Sequence, residues 1–88
     1  MIAVTKIHIV KKDDKELVYE LTPSAKVAFE SKHQIGWRKR ILDEYRDSDL
    51  WWFAWFLQKA KGETTLDFGD EYVDQYRDVY ISNDSKNG

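Results

Sequence analysis

The sequence predicts a small α+β domain in which an N-terminal two-stranded β-hairpin precedes three to four helices. Two observations support this: β-branched and alternating residues dominate the N-terminal quarter, and large apolar residues recur at helical spacing afterwards. With 88 residues the chain is long enough for one domain. We expect residues 1–82 to form it and residues 83–88 to be a polar flexible tail. A hairpin is marginal alone, so it should pack on the helices or pair across a dimer.

The hairpin is predicted from two short patterns joined by a polar turn. Residues 1–10 are rich in β-branched side chains, which favours a strand. Leu17, Tyr19 and Leu21 then alternate with polar residues, as in a strand with one buried face. The polar run at residues 11–15 predicts the connection between the strands.

A helix is predicted to begin at Thr22 and Pro23. The threonine hydroxyl can accept a hydrogen bond from a free amide of the first turn, and proline fits the first helical position. We expect this helix to run to His33 or Gln34 and to be ended by Gly36 in a positive-φ conformation.

Three further helices are predicted downstream. Apolar residues at helical spacing indicate a short helix at residues 37–46 and a longer one at residues 50–61, ended by Gly62. In residues 70–80, apolar side chains at i, i+1, i+4, i+7 and i+8 predict an amphipathic helix with an acidic outer face.

The predicted helix at residues 50–61 is the strongest feature of the sequence. Six of the seven residues from 51 to 57 are large and apolar, and the seventh is alanine. Adjacent residues point about 100° apart on a helix, so these side chains cannot share one stripe. The helix therefore lies at the centre of the core, or part of it faces a partner protein. Both interpretations stay open at this level.

The sequence shows no motif of catalytic, metal-binding or phosphate-binding residues. There is no cysteine, which excludes disulfides, thiolate zinc sites and a cysteine nucleophile. Neither His8 nor His33 stands in a motif with a carboxylate or a nucleophile, and no glycine-rich phosphate loop or calcium loop is present. We therefore expect a non-enzymatic protein without a cofactor or a metal.

Charge is distributed unevenly along the chain. Residues 1–62 hold 12 basic and 9 acidic residues, whereas residues 63–88 hold 2 basic and 7 acidic residues. The basic cluster at residues 37–40 begins with a tryptophan, a combination that can bind nucleic acid. We favour a solvated helix face, since the cluster is short and the net charge of the chain is −2. The longest apolar run, residues 50–57, is too short to span a bilayer.

Several motifs resemble those of a known family. They are Ala28-Phe29-Glu30 in the first helix, Trp52-Phe53-Ala54-Trp55 in the aromatic helix, and Gly62 before an acidic, aromatic final segment. In this order they resemble the small tail assembly chaperones of long-tailed bacteriophages, particularly those that infect actinobacteria. The resemblance covers roughly residues 16–80.

The resemblance implies a protein that binds the long, helical tape measure protein before the tail tube assembles around it, in the cytoplasm of a bacterial host. An aromatic surface can hold a helix through anchors spaced at i, i+3, i+4 and i+7. The expected protein-binding residues are aromatic anchors and two steering charges: Trp51, Trp52, Trp55, Phe56, Tyr72, Tyr76, Arg38 and Arg40.

Two other functions remain open, together with self-association. The chain could be a virion structural protein, such as a head–tail connector, or a small regulator that binds a host protein or nucleic acid. A homo-oligomer is also compatible with the sequence, through strand edges or the aromatic helix.

Overall fold

A computed structural model describes residues 2–86 as a three-stranded sheet with four helices on one side. The elements in chain order are β1 (Ile2–Lys11), β2 (Glu16–Glu20), α1 (Pro23–His33), α2 (Trp37–Glu44), α3 (Asp47–Ala60), α4 (Asp70–Val73) and β3 (Tyr76–Lys86). The strand order is β2-β1-β3, and both pairs are antiparallel. The predicted α+β class is therefore confirmed, with one strand more than the sequence pattern indicated.

The N-terminal hairpin forms as predicted. Ile7 of β1 pairs with Tyr19 of β2, and the amide of Lys11 donates to the carbonyl of Lys15 over 2.8 Å at the turn. Ile7 and Ile9 have no exposed surface, because the face of the sheet on which they lie is covered by the helices.

The predicted amphipathic helix at residues 70–80 is wrong beyond residue 73. The α4 helix has four residues, and the chain then forms β3 against the whole length of β1. In that ladder Val79 pairs with Ile9 and Ile81 pairs with Ile7, so the apolar residues reach the core at a period of two. Pairing with a distant strand overrides the local helical spacing. The predicted tail overlaps β3 as far as residue 86, and residues 87 and 88 lie outside the described part.

The start of α1 is confirmed and its end differs from the prediction. The amide of Ala25 donates to Thr22 Oγ1 over 3.2 Å, which caps the first turn. At the other end Gln34, and not Gly36, takes the left-handed conformation, with φ of 56°. The Gln34 side chain donates to the carbonyl of Ser31 over 2.6 Å, which helps hold that conformation. Gly36 instead precedes α2 at φ of −60°.

The core lies between α3 and the sheet. Phe53 and Leu50 on α3 have no exposed surface, nor does Phe29 on α1, whose ring stacks on Phe53 at 4.8 Å. The α3 helix begins three residues before the prediction and is followed by Gly62 at φ of 73°. One face of α3 closes the core. A partner can therefore reach only those aromatic side chains that lie on the other face of this helix.

Candidate protein-binding surfaces

A polar cluster lies on the sheet face that carries no helices. His8 Nδ1 is 3.2 Å from Glu16 Oε1, and His8 Nε2 is 2.6 Å from Ser82 Oγ. The Tyr80 hydroxyl donates to Glu16 over 2.7 Å and lowers the pKa of that carboxyl, while the Tyr80 ring stacks on His8 at 4.4 Å. A serine, a histidine and a carboxylate in this order have the connectivity of a hydrolase triad.

The amide of Ser82 itself is not free to serve this cluster. Acyl transfer needs donors aimed at the developing oxyanion. The amide of Leu21 donates to the carbonyl of Thr5. Backbone groups of successive residues point to opposite sides of a strand, so the odd-numbered residues of β1 form backbone hydrogen bonds with β2 and the even-numbered ones with β3. Ser82, the partner of Lys6, thus has its own amide inside the ladder. We interpret the cluster as cross-strand bonds that hold the register of the sheet.

A second polar network is buried beneath α3. Gln58 is 2% exposed and accepts a hydrogen bond from the Tyr72 hydroxyl over 2.5 Å. Its amide nitrogen donates to the hydroxyls of Tyr19 at 3.3 Å and Tyr76 at 3.1 Å. Tyr19 in turn donates to Glu63 over 2.6 Å. This network joins β2, α3 and the segment that leads into β3, and it holds Tyr72 in the core.

The four aromatic anchors expected on α3 occupy different environments. Trp52 is 6% exposed and packs against Phe29 at 5.7 Å, so it belongs to the core. Trp51 is half-buried and stacks on Tyr76 at 6.1 Å. Trp55 and Phe56 are half-buried, and both line a shallow cavity at the outer side of the helix.

We call this outer region the α3 surface and define it by Trp55, Phe56, Lys59, Ala60 and Phe68. Its cavity has a volume of about 230 Å³ and is lined by the four α3 residues. Trp55 is oriented by its indole N–H, which donates to the carbonyl of Leu66 over 2.8 Å. Phe68, 40% exposed, extends the apolar area with its ring 5.9 Å from Trp55. The surface therefore joins a rigid helix to the loop that follows it.

One lysine borders the aromatic part of the α3 surface. Lys59 Nζ lies 5.0 Å from the centre of the Trp55 ring, a cation–π distance. Its side chain is exposed, so its charge remains accessible to a partner.

A second apolar cavity of about 240 Å³ lies between α2 and β3. Its lining residues are Trp37, Arg38, Ile41, Tyr45, Ile81 and Asn83, and we call it the α2–β3 groove. The Arg38 guanidinium lies 5.3 Å from the Trp37 ring centre and is exposed. Tyr45 is 51% exposed at the rim. The basic cluster therefore flanks an apolar groove and is not only a solvated helix face.

The two arginines expected to steer a partner are placed differently. Arg38 is exposed beside the α2–β3 groove. Arg40 points inward and donates to Asp49 at the start of α3. Only Arg38 can meet a partner without breaking an internal ion pair.

Comparison with known proteins returns no match to a family, to a curated protein or to a solved structure. Within residues 2–86 no group of three or more histidine, cysteine, aspartate or glutamate residues could hold a metal ion. No helix in the same range is both long and apolar enough to cross a membrane.

Sequence reasoning missed the α2–β3 groove and the polar cluster around His8 for the same reason. Both depend on β3, which the helical spacing of its apolar residues concealed. The one available signal was the run from Val79 to Ile81, in which β-branched residues flank an aromatic one.

Proposed function

We propose that this protein is a tail assembly chaperone of a long-tailed bacteriophage that binds the tape measure protein and catalyses no reaction. The resemblance of residues 16–80 to that family motivates the proposal. The observation that carries it is the α3 surface, where Trp55 and Phe56 are half-buried and Phe68 is 40% exposed, while the opposite face of α3 closes the core. Apolar area of this kind marks an interaction site.

The α3 surface fits a helical client. Trp55 and Lys59 stand one turn apart, as do Phe56 and Ala60, so the four side chains form a ridge with a shallow concavity. An amphipathic helix can place one apolar side chain in that concavity and its neighbours on the flanking rings. The exposed ammonium of Lys59 favours an acidic residue at the edge of the client's apolar face.

The expected binding residues differ in their place relative to the α3 surface. Trp55 and Phe56 are its anchors. Trp51, Tyr76 and Arg38 are second, because the first two pack on each other and the third lies on a different surface. Three others have no role in the proposal: Trp52 and Tyr72 are buried, and Arg40 is paired internally.

Affinity purification of the tagged protein from phage-producing cells, followed by mass spectrometry, tests the function. We expect a long, helical tail protein to co-purify at high stoichiometry, and we expect the chain to be absent from finished particles. Its presence in virions at a fixed copy number, with capsid or neck proteins as partners, would instead identify a connector. A host protein or nucleic acid as the main partner would contradict both functions.

A further inference from the structure

We propose that the outer edge of β3 binds an extended peptide segment as a fourth strand, with one apolar side chain in the α2–β3 groove and an acidic side chain beside Arg38. This binding site is separate from the α3 surface, so the proposal does not depend on the chaperone function. It rests on the backbone pairing, on the side chains that line the groove, and on charge.

The pairing pattern leaves backbone groups of β3 directed away from the sheet. Even-numbered residues of β1 bond to β3, and His8 pairs with Tyr80 while Lys6 pairs with Ser82. The even-numbered residues of β3 therefore use their N–H and C=O groups in the ladder. Those of Ile81 and Asn83 point outward, and no further strand pairs with β3 in the described sheet. An edge of this kind is a template for another strand.

The groove lies on the helix side of that same edge. Ile81 and Asn83 alternate with the ladder-bonded residues, so their side chains face the helices and line the groove. Across the groove stand Trp37 and Ile41 of α2. A strand added to β3 would direct every second side chain to this side, which gives main-chain hydrogen bonds and a side-chain pocket at one site.

The exposed basic side chains beside the groove indicate which side chain the added strand should carry. Arg38 is exposed, lines the groove, and forms no ion pair within residues 2–86. Lys39 beside it is also exposed. An acidic side chain on the added strand would neutralise this end of α2, since complementary charge fixes register and partner choice.

A second copy of the chain fits this edge less well than an acidic segment does. Antiparallel edge-to-edge pairing about a two-fold axis perpendicular to the sheet keeps both helical layers on the same side. The two α2 helices would then face each other across the seam and bring Arg38 of each copy together. Like charges across an interface are unfavourable.

The test uses a synthetic peptide of about nine residues, the length of an ordinary strand, with blocked ends. Leucine alternates with threonine in it, and one of the two leucines nearest the central leucine is replaced by glutamate, because residues two apart lie on the same face of a strand. Amide hydrogen exchange of the free protein should be slow at Tyr80 and Ser82 and fast at Ile81 and Asn83. Addition of the peptide to about 1 mM should slow exchange at Ile81 and Asn83.

Two matched pairs of variants separate the backbone contribution from the charge. Asn83→Pro removes the outward N–H, which an edge strand tolerates, and should abolish peptide binding, whereas Asn83→Ala keeps that N–H and should bind. Arg38→Glu should weaken binding roughly tenfold, whereas Lys39→Glu, the same charge change outside the groove, should weaken it less than about threefold.

Four results would overturn the proposal: no binding at about 1 mM peptide, binding that survives Asn83→Pro, equal effects of the two charge reversals, or protection of the same amides by dimerisation without peptide. The last would assign the edge to a second copy of this chain.

Discussion

Arg40 donates its Nε–H to Oδ2 of Asp49 over 2.9 Å, and this ion pair joins α2 to the first turn of α3. The Asp49 side chain is 3% exposed and that of Arg40 is 17% exposed, while Glu44 lies 3.8 Å from the same nitrogen. The charge of Arg40, which the sequence analysis expected to steer a partner, is therefore compensated by Asp49 inside the fold.

Removal of Asp49 should destabilise the domain. Asp49→Ala leaves the mostly buried Arg40 side chain with only the Glu44 carboxylate, 3.8 Å from its Nε, and we expect a loss of about 2 kcal/mol in the free energy of unfolding. Urea denaturation followed by tryptophan fluorescence measures it. Asp47→Ala is the control, because Asp47 is exposed in the same helical turn. Equal losses in both variants would show that the ion pair contributes nothing beyond the helix dipole.

Gln58 should be among the most sensitive polar positions. Gln58→Leu keeps the approximate volume but leaves the buried Tyr72 hydroxyl without its acceptor and the Tyr76 hydroxyl without its partner. We expect a loss of about 3 kcal/mol by urea denaturation, since each unsatisfied buried group costs on the order of 1–3 kcal/mol. Gln75→Leu, at an exposed glutamine, is the control. A loss below about 1 kcal/mol for Gln58→Leu would contradict this account of the network.

Stability should fall in alkaline solution because two core tyrosines resist ionisation. Burial, and then the hydrogen bond to Glu63, raise the pKa of Tyr19 from 10.0 to about 12, and burial also raises the pKa of Tyr72. The folded state therefore binds more protons than the unfolded state above pH 10. The stabilisation is fully present below pH 10 and is lost as the pH rises towards 12.

The tyrosine contribution is measured by urea denaturation of Tyr19→Phe and of the unchanged protein at about pH 9 and about pH 11. The variant should be less stable at the lower pH, because it lacks the hydroxyl that Glu63 accepts from. It should lose less stability between the two pH values. An equal loss in both proteins would assign the alkaline transition to other groups.

Gln34→Gly should stabilise the protein. Gln34 holds φ of 56° at the end of α1, a conformation that costs a non-glycine residue on the order of 1 kcal/mol and glycine almost nothing. The gain is reduced by loss of the side-chain bond to Ser31. We expect a rise in the melting temperature for Gln34→Gly and a fall for Gln34→Ala, which loses the same bond without gaining conformational freedom. A fall in both would mean that the side-chain bond outweighs the backbone cost.

Substitutions on the α3 surface should reduce client binding without unfolding the domain. Trp55→Ala and Phe56→Ala each remove an accessible anchor, and a true anchor contributes about 2 kcal/mol or more to binding. Recovery of the co-purifying protein from producing cells is the measurement, with circular dichroism to verify the fold. Val27→Ala is the control, because Val27 is 64% exposed on α1. Full recovery with both anchors truncated would move the client site elsewhere.

The β3 strand, which the fold prediction missed, lines the α2–β3 groove and completes the polar cluster around His8. Residues 76–80 satisfy a helical period as well as a strand pattern, and the choice depends on whether β1 is available to pair. No window of sequence contains that information. The consequence extends to the proposed peptide site, since that proposal needed the positions of Ile81 and Asn83.

The sequence alone determined those elements whose signals are local. Alternation and a polar turn specify the hairpin, Thr22 and Pro23 begin α1, and Gly62 follows α3 at the expected place, because backbone sterics and capping act within a few residues. The tertiary structure decided the rest. Trp52 became core while Trp55 stayed accessible, and His8 met Ser82 across 74 residues of chain, because burial and strand pairing depend on which distant surfaces pack together.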